Sequence, residues 1–338
     1  ATVSGTVDAG AVNTAAVARN TSPELVAEID IGSQYGGASL VYAIARDDIL
    51  FIGQQSGDVT IVDIEKPSNP MLISQTSISS VNRPDGLRVY NDTLFINDRS
   101  STNQTFTAVD ISNLTDPKLL SQVATDSNGN KLGGHELIVS NGYMFGCGWY
   151  SDTLWSVDIT DPSALSVADS INRGGTRAGH SPGIKDQYLL LTSFDGSNGT
   201  HSAENLEVFD ISDPTNMSSV HTVDSVSKLH DISVRKDHAF STTGTGKVVS
   251  FDVSDPTTAS ESSILSLDMS RTWAHRQLGD RIILVGVDDD PANPTELVVE
   301  FTTGLKSPGR LEITWWASGA YRFHYTEQDG FDFRFDRH

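Results

Sequence analysis

The chain has 338 residues, with 44 Asp or Glu against 23 Lys or Arg and a formal net charge of -21. So acidic a composition argues against a nucleic-acid partner, because phosphate recognition is carried by clustered basic side chains. No apolar run reaches the roughly 18 residues needed to cross a bilayer as a helix, and the one cysteine, Cys147, leaves no intrachain disulfide, so burial has to hold the fold.

In chain order, the first patterned stretch is NTAAVARNTSPELVAEIDI (13–31), which reads as two strands around a Ser-Pro turn. It aligns without a gap on residues 60–78 of VTIVDIEKPSNPMLISQTSI (59–78). The same unit then recurs as FTAVDISNLTDPKLLSQVAT (106–125), LWSVDITDPSALSVADSI (154–171), LEVFDISDPTNMSSVHTV (206–223), VVSFDVSDPTTASESSIL (248–265) and LVVEFTTGLKSPGRLEIT (297–314). In each, a β-branched strand ends at a marker acid, a Pro-bearing turn follows, and an alternating strand leads away. The marker acids Asp63, Asp110, Asp158, Asp210, Asp252 and Glu300 fall 42 to 52 residues apart. Upstream lie two more strands per unit, such as ELIVS and GYMFGCGW joined at the tight-turn dipeptide NG. The last stretch, YRFHYTEQDGFDFRFD (321–336), reads as two strands around QDG.

Four antiparallel strands per unit without helical periodicity predict an all-β propeller in a single domain. The spacing gives blades at 37–79, 80–125, 128–172, 173–224, 225–266 and 267–317. The incomplete ends complement one another: 1–31 supplies two outer strands and 318–338 two inner strands of a seventh blade that closes the ring. Six blades with two tails is the alternative. The units resemble the LVIVD repeat, whose motif stands here as VTIVDI, FTAVDI, LWSVDI, LEVFDI and VVSFDV. That resemblance implies an extracellular or surface-associated propeller and no particular reaction.

First strands of propeller blades line the central axis, so equivalent positions in them converge. About ten residues before each second strand stand Asp85, His135, His180, His230, His275 and His324, with Ser39 or Tyr42 in the first blade. Converging imidazoles and a carboxylate make a transition metal the candidate cofactor. The alternative is a repeat habit in which each ring bonds the backbone of the neighbouring blade. Arg83, Arg177, Arg271 and Arg322 precede the rim residues by two to four positions. They would form an anion-binding annulus, or else pair with acids such as Asp85 and Asp268.

The remaining signals are weaker. Trp149, Trp155, Trp273, Trp315 and Trp316 read as wedges between sheets rather than sugar platforms, and DDDPANPTE (288–296) and DGSNGT (195–200) as solvated turns without the spacing of a calcium loop. No G-x-S-x-G elbow occurs, and Cys147 reads as a small strand residue, so no catalytic residue is assigned. Sequons at Asn20, Asn91, Asn103, Asn113, Asn198 and Asn216 point to an exported glycoprotein; the start at Ala1 fits a processed protein and equally a trimmed piece. The excess of Asp over Lys along the whole chain resembles proteins of salt-loving archaea, where salt screens self-repulsion. The expected function is a binding or adhesion module on a cell envelope or virion spike, extracellular and without membrane insertion, whose partner is a protein or a glycan. A metal-dependent oxidoreductase built on the histidine ring is the alternative.

Overall fold

The computed structural model describes residues 27, 29 and 40–266, except 80, 101–103, 149–151, 174–176, 196–203 and 226–228, and beyond them the backbone of six further strands. The first sheet comprises β1 (Leu40–Arg46), β2 (Ile49–Gln54), β3 (Asp58–Asp63) and β4 (Met71–Ser77), the second β5 (Pro84–Tyr90), β6 (Thr93–Asp98), β7 (Phe106–Asp110) and β8 (Lys118–Val123). The third has β9 (Gly134–Ser140), β10 (Tyr143–Gly148), β11 (Thr153–Asp158) and β12 (Ser166–Asn172), the fourth β13 (Arg177–Lys185), β14 (Tyr188–Asp195), β15 (Glu204–Asp210) and β16 (Ser218–Ser225). The fifth has β17 (Leu229–Arg235), β18 (His238–Thr243), β19 (Lys247–Asp252) and β20 (Ser260–Ser266). A sixth is built from β21 (Arg271–Leu278), β22 (Arg281–Val287), β23 (Glu296–Thr303) and β24 (Arg310–Thr314), and β25 (Ala320–Tyr321) pairs with β26 (Phe335–Asp336). All these pairings, β25–β26 included, are antiparallel and join consecutive strands.

Local chemistry repeats with the unit. The turn from first to second strand holds its leading residue in the left-handed region in five sheets, at Asp47, Asn91, Asn141, Asp186 and Lys236, each with φ of 50° to 53°. That conformation matches the right-handed twist of a two-residue hairpin, and Asn or Asp tolerates it best. The marker acids do a second local job. Asp63, Asp110, Asp158, Asp210 and Asp252 each accept the backbone N–H two residues on, at 2.8 to 2.9 Å. Each thereby starts the turn into the fourth strand.

Packing follows the same order. The second and third strands are buried along their length, as β6 and β7 illustrate, whereas the fourth strands β4, β8 and β16 carry exposed residues. The cores lie between neighbouring sheets: Phe51 and Ile61 meet Leu87 and Ile96, Phe106 meets Trp155, Phe145 meets Leu189, and Val208 meets Phe251. Trp155 is a wedge: its ring is wholly buried and meets Phe106 edge-on, with centroids 5.8 Å apart at 83°. First strands are neighbours in succession, β1 beside β5, then β9, β13, β17 and β21. Sheets packed face to face with their first strands together form the blades of a propeller.

Candidate functional site at the axial ends of the first strands

Every first strand breaks register with its partner near its beginning. Two residues of β9, His135 and Glu136, stand between the Leu137–Gly146 and Gly134–Gly148 pairs, opposite Cys147 alone. In β13 the residues are His180 and Ser181, and in β17 His230 and Asp231. The bulge falls at Asp85 in β5, Val41 in β1 and Trp273 in β21. A bulge re-aims side chains and breaks the two-residue alternation, so consecutive residues reach the axis together.

The structure brings together three of the anticipated histidines. The His135 and His180 rings stack with centroids 4.2 Å apart, and those of His180 and His230 lie 3.7 Å apart, tilted by 49°. Asp85 occupies the equivalent bulge in β5. In the backbone register His275 pairs with Leu284, two residues past the bulge residue Trp273 and level with Leu137, Pro182 and Ile232 of the other strands; its side chain lies outside the described residues. Tyr42 sits one residue inside the rim register, in the first sheet. The side chains of Arg177 and Arg271, which begin β13 and β21, and the whole of His324, Arg322 and Ser39 lie outside the described residues.

Sequence reasoning missed the residue following each histidine. Asp231, only 4 % exposed, places Oδ1 3.4 Å from His180 Nδ1 and 3.1 Å from His230 Nδ1. Glu136, equally buried, accepts from the Ser181 hydroxyl at 2.6 Å and from the Tyr42 hydroxyl at 3.5 Å, while Arg88 donates to Tyr42 at 3.0 Å. Three sheets are thus tied at the axis by one carboxylate. The signal was present in GHEL, GHSP and LHDI, where a polar residue follows His; strict alternation would have turned it away from the axis.

Asp85 is held by cations. Arg83 Nε lies 3.1 Å from one carboxylate oxygen, and Arg99, a residue outside the sequence-derived set, pairs with the other. Burial nevertheless raises the Asp85 pKa above its ordinary value, the two guanidiniums pulling against it. Arg83 therefore belongs to an ion pair, the second of the two roles its position allowed. Next to it, Asp98 accepts the backbone N–H groups of Asn82, Arg83 and Ser100 at 2.7 to 3.1 Å, yet burial raises its pKa as well. Burial of the His135 ring, then Arg99 and His230, hold its pKa well below the usual imidazole range. The ring is therefore neutral near pH 7.

The LVIVD repeat model matches residues 45–77, 87–125 and 202–225. The chain carries LVIVD repeats. A second model, for Toxin TumE, matches residues 274–338. No curated protein matches the chain. Among solved structures, a putative 6-phosphogluconolactonase from Bacteroides fragilis shares 12 % identity at a TM-score of 0.61, over 90 % of this chain and 95 % of that one. BamB from Moraxella catarrhalis shares 16 % at 0.54, over 83 % and 79 %. A chain of the mitotic checkpoint complex shares 14 % at 0.59, over 82 % and 77 %. At such identities these propellers speak for the fold alone.

Proposed function

We propose that the chain is a binding module: a rigid propeller that holds a partner on the face bearing the bulged starts of the first strands. The observation that carries this reading is the asymmetry of the two faces. Antiparallel order puts the first-to-second hairpins and the Asp-initiated third-to-fourth turns at one end of each of the first five sheets. These are short and alike. The opposite end holds the connections from second to third strand and from each fourth strand to the next first strand, which differ in length and sequence from sheet to sheet, 124–133 among the described ones, around the axial acids and histidines. Recognition is usually built on variable loops carried by an invariant frame. The mitotic checkpoint complex, one chain of which is similar in fold, is by its name a protein complex, which is in keeping with a protein partner.

The finer reading is an exported, surface-exposed adhesion module on a cell envelope or virion, adapted to saline surroundings, with a protein or glycan partner. Its supports are the net charge of -21 and the exposure of the sequon residues Asn91, Asn113 and Asn216. The ring would have seven blades with the boundaries given by the repeat spacing, closed by 1–31 and 318–338. Ile29 supports this closure, since it packs on Ile52 and Val62 of the first sheet. The match to Toxin TumE offers a second reading of 274–338, as a toxin-type segment. The four-stranded antiparallel sheet β21–β24, with β21 beside β17, supports a blade. A metal-dependent oxidoreductase would use the axial cluster and needs a redox reaction to be found.

The test is attachment of the labelled chain to envelopes of the cells that produce it, in high salt. Replacing 196–203 and the exposed 127–129 by Gly-Ser links, with Arg99, Asp126 and Leu132 kept, should abolish attachment with melting little changed. Attachment that survives replacement of the loops on both faces would refute the reading.

A further inference from the structure

We propose that His180, His230 and Asp231 form a zinc-type metal site that clips the fourth sheet to the fifth at the axis, whatever the loop face binds. One ring nitrogen from each histidine and one carboxylate oxygen lie within 4.8 Å of one another. The two edges that meet at Asp231 Oδ1 measure 3.4 Å to His180 Nδ1 and 3.1 Å to His230 Nδ1. Four-coordinate zinc, with bonds of about 2.0 to 2.2 Å, sets its ligand atoms roughly 3.3 to 3.5 Å apart. Those two edges are already at ligand spacing before any ion is added.

The frame around the ligands is rigid. Thr192 in β14 donates its hydroxyl to the His230 carbonyl at 2.6 Å, and the Asp231 N–H donates to the Thr242 hydroxyl at 3.3 Å. His180 is fixed in the bulge of β13. Two imidazoles and one carboxylate select zinc, cobalt, nickel or copper over magnesium and calcium, which take oxygen ligands. One position remains for water or a small anion. The competing account makes Asp231 a plain hydrogen-bond acceptor for two Nδ1–H groups. Geometry serves both accounts; the response to metal separates them.

The full chain, dialysed against chelator, is titrated with Zn2+ by calorimetry and with Co2+ by visible absorption, and melting is followed in parallel. The site predicts one saturable equivalent, a Co2+ spectrum of four-coordinate intensity and a melting temperature raised by Zn2+ but not by Mg2+. Asp231→Asn and His230→Gln should each weaken Zn2+ binding on the order of tenfold or more, while His238→Gln, in a hairpin of β18, leaves it unchanged. Absence of saturable binding, a weak six-coordinate Co2+ spectrum, or wild-type affinity in both cluster variants overturns the proposal. Should the variants fail to fold, the Co2+ spectrum of the unmutated chain decides alone.

Discussion

Arg173 offers a sharp test of how adjacent blades are held together. It follows β12 in the third sheet, and its side chain is 1 % exposed where it meets Glu207 of β15, itself 7 % exposed. The same Nη1 donates to the Ser193 hydroxyl at 2.6 Å, and Nε donates to the Asp152 carbonyl at 3.1 Å. In Arg173→Met the Glu207 carboxylate keeps the Ser193 hydroxyl but loses its buried countercharge. Breaking a buried pair from one side costs about 3 to 5 kcal/mol, chiefly because a charge is stranded away from water. Replacing both partners by apolar groups removes that penalty, so Arg173→Met with Glu207→Leu should recover most of the loss. Urea unfolding measures this. With a slope of about 3 kcal/mol per molar, the top of the range for small proteins, the single variant should shift its midpoint down by roughly 1 M or somewhat more. A loss below about 1 kcal/mol, the range of exposed pairs, or a double variant as unstable as the sum of its parts, would refute the reasoning.

Other consequences are open to simple measurements. A Cβ at Gly179 would fall 2.0 Å from Cys147 Sγ, so Gly179→Ala should cost about 1 to 3 kcal/mol by overpacking and Cys147→Ala should return part of it in the same urea assay. Burial pushes the Cys147 thiol up to about 12, so maleimide at neutral pH should label it only in urea; fast labelling of the folded chain would contradict this packing. Asp110, Asp161, Asp213 and Asp252 are held below the ordinary carboxylate range, the first three chiefly by Ser or Thr side chains and Asp252 by the Ser254 N–H. Depressed pKa values stabilise the fold above the ordinary value and lose that contribution as pH falls through the folded value. Melting temperature should therefore fall below about pH 4. Changing the four to Asn, which keeps the acceptor oxygen, should flatten that limb, and an unaltered slope would count against the turns. Asp85 and Asp98, raised by burial, act in the opposite sense: their contribution is present at low pH and lost as pH rises through the folded value. Deleting 1–31 or 318–338 should each destabilise the chain, and deleting both should do little more; additive losses would argue against a shared closing blade.

Much of the fold was legible because each unit obeys short-range rules. Turn residues at fixed offsets, a marker acid with a local hydrogen-bond partner and short apolar, β-branched runs are all properties of five to ten consecutive residues. They identify an all-β chain of four-stranded units carrying LVIVD repeats without tertiary information. Ring closure is a different kind of question, since it depends on residues at opposite ends of the chain. Ile29 against Ile52 and Val62 is the described contact that bears on it.

The axial cluster was legible by residue type and not by register. Val41, Asp85, His135, His180, His230 and Trp273 all stand eight residues ahead of their second strands and His275 only six, so a spacing of about ten counted His275 in where a strict one selects Trp273. The same counting, with strict alternation, left out Glu136, Ser181 and Asp231, each of which follows a rim histidine. The bulge accounts for this omission, because it sends two neighbours to one side. The bulge has no composition of its own: Gly134, Gly179 and Leu229 begin it in successive strands. What recurs is the contact it makes possible, with Ser181 donating to Glu136 at 2.6 Å and lying beside the Ile232 N–H at 3.3 Å. The placement of the cluster is therefore a consequence of how neighbouring first strands fit together, a relation between units some 50 residues apart that no local pattern encodes.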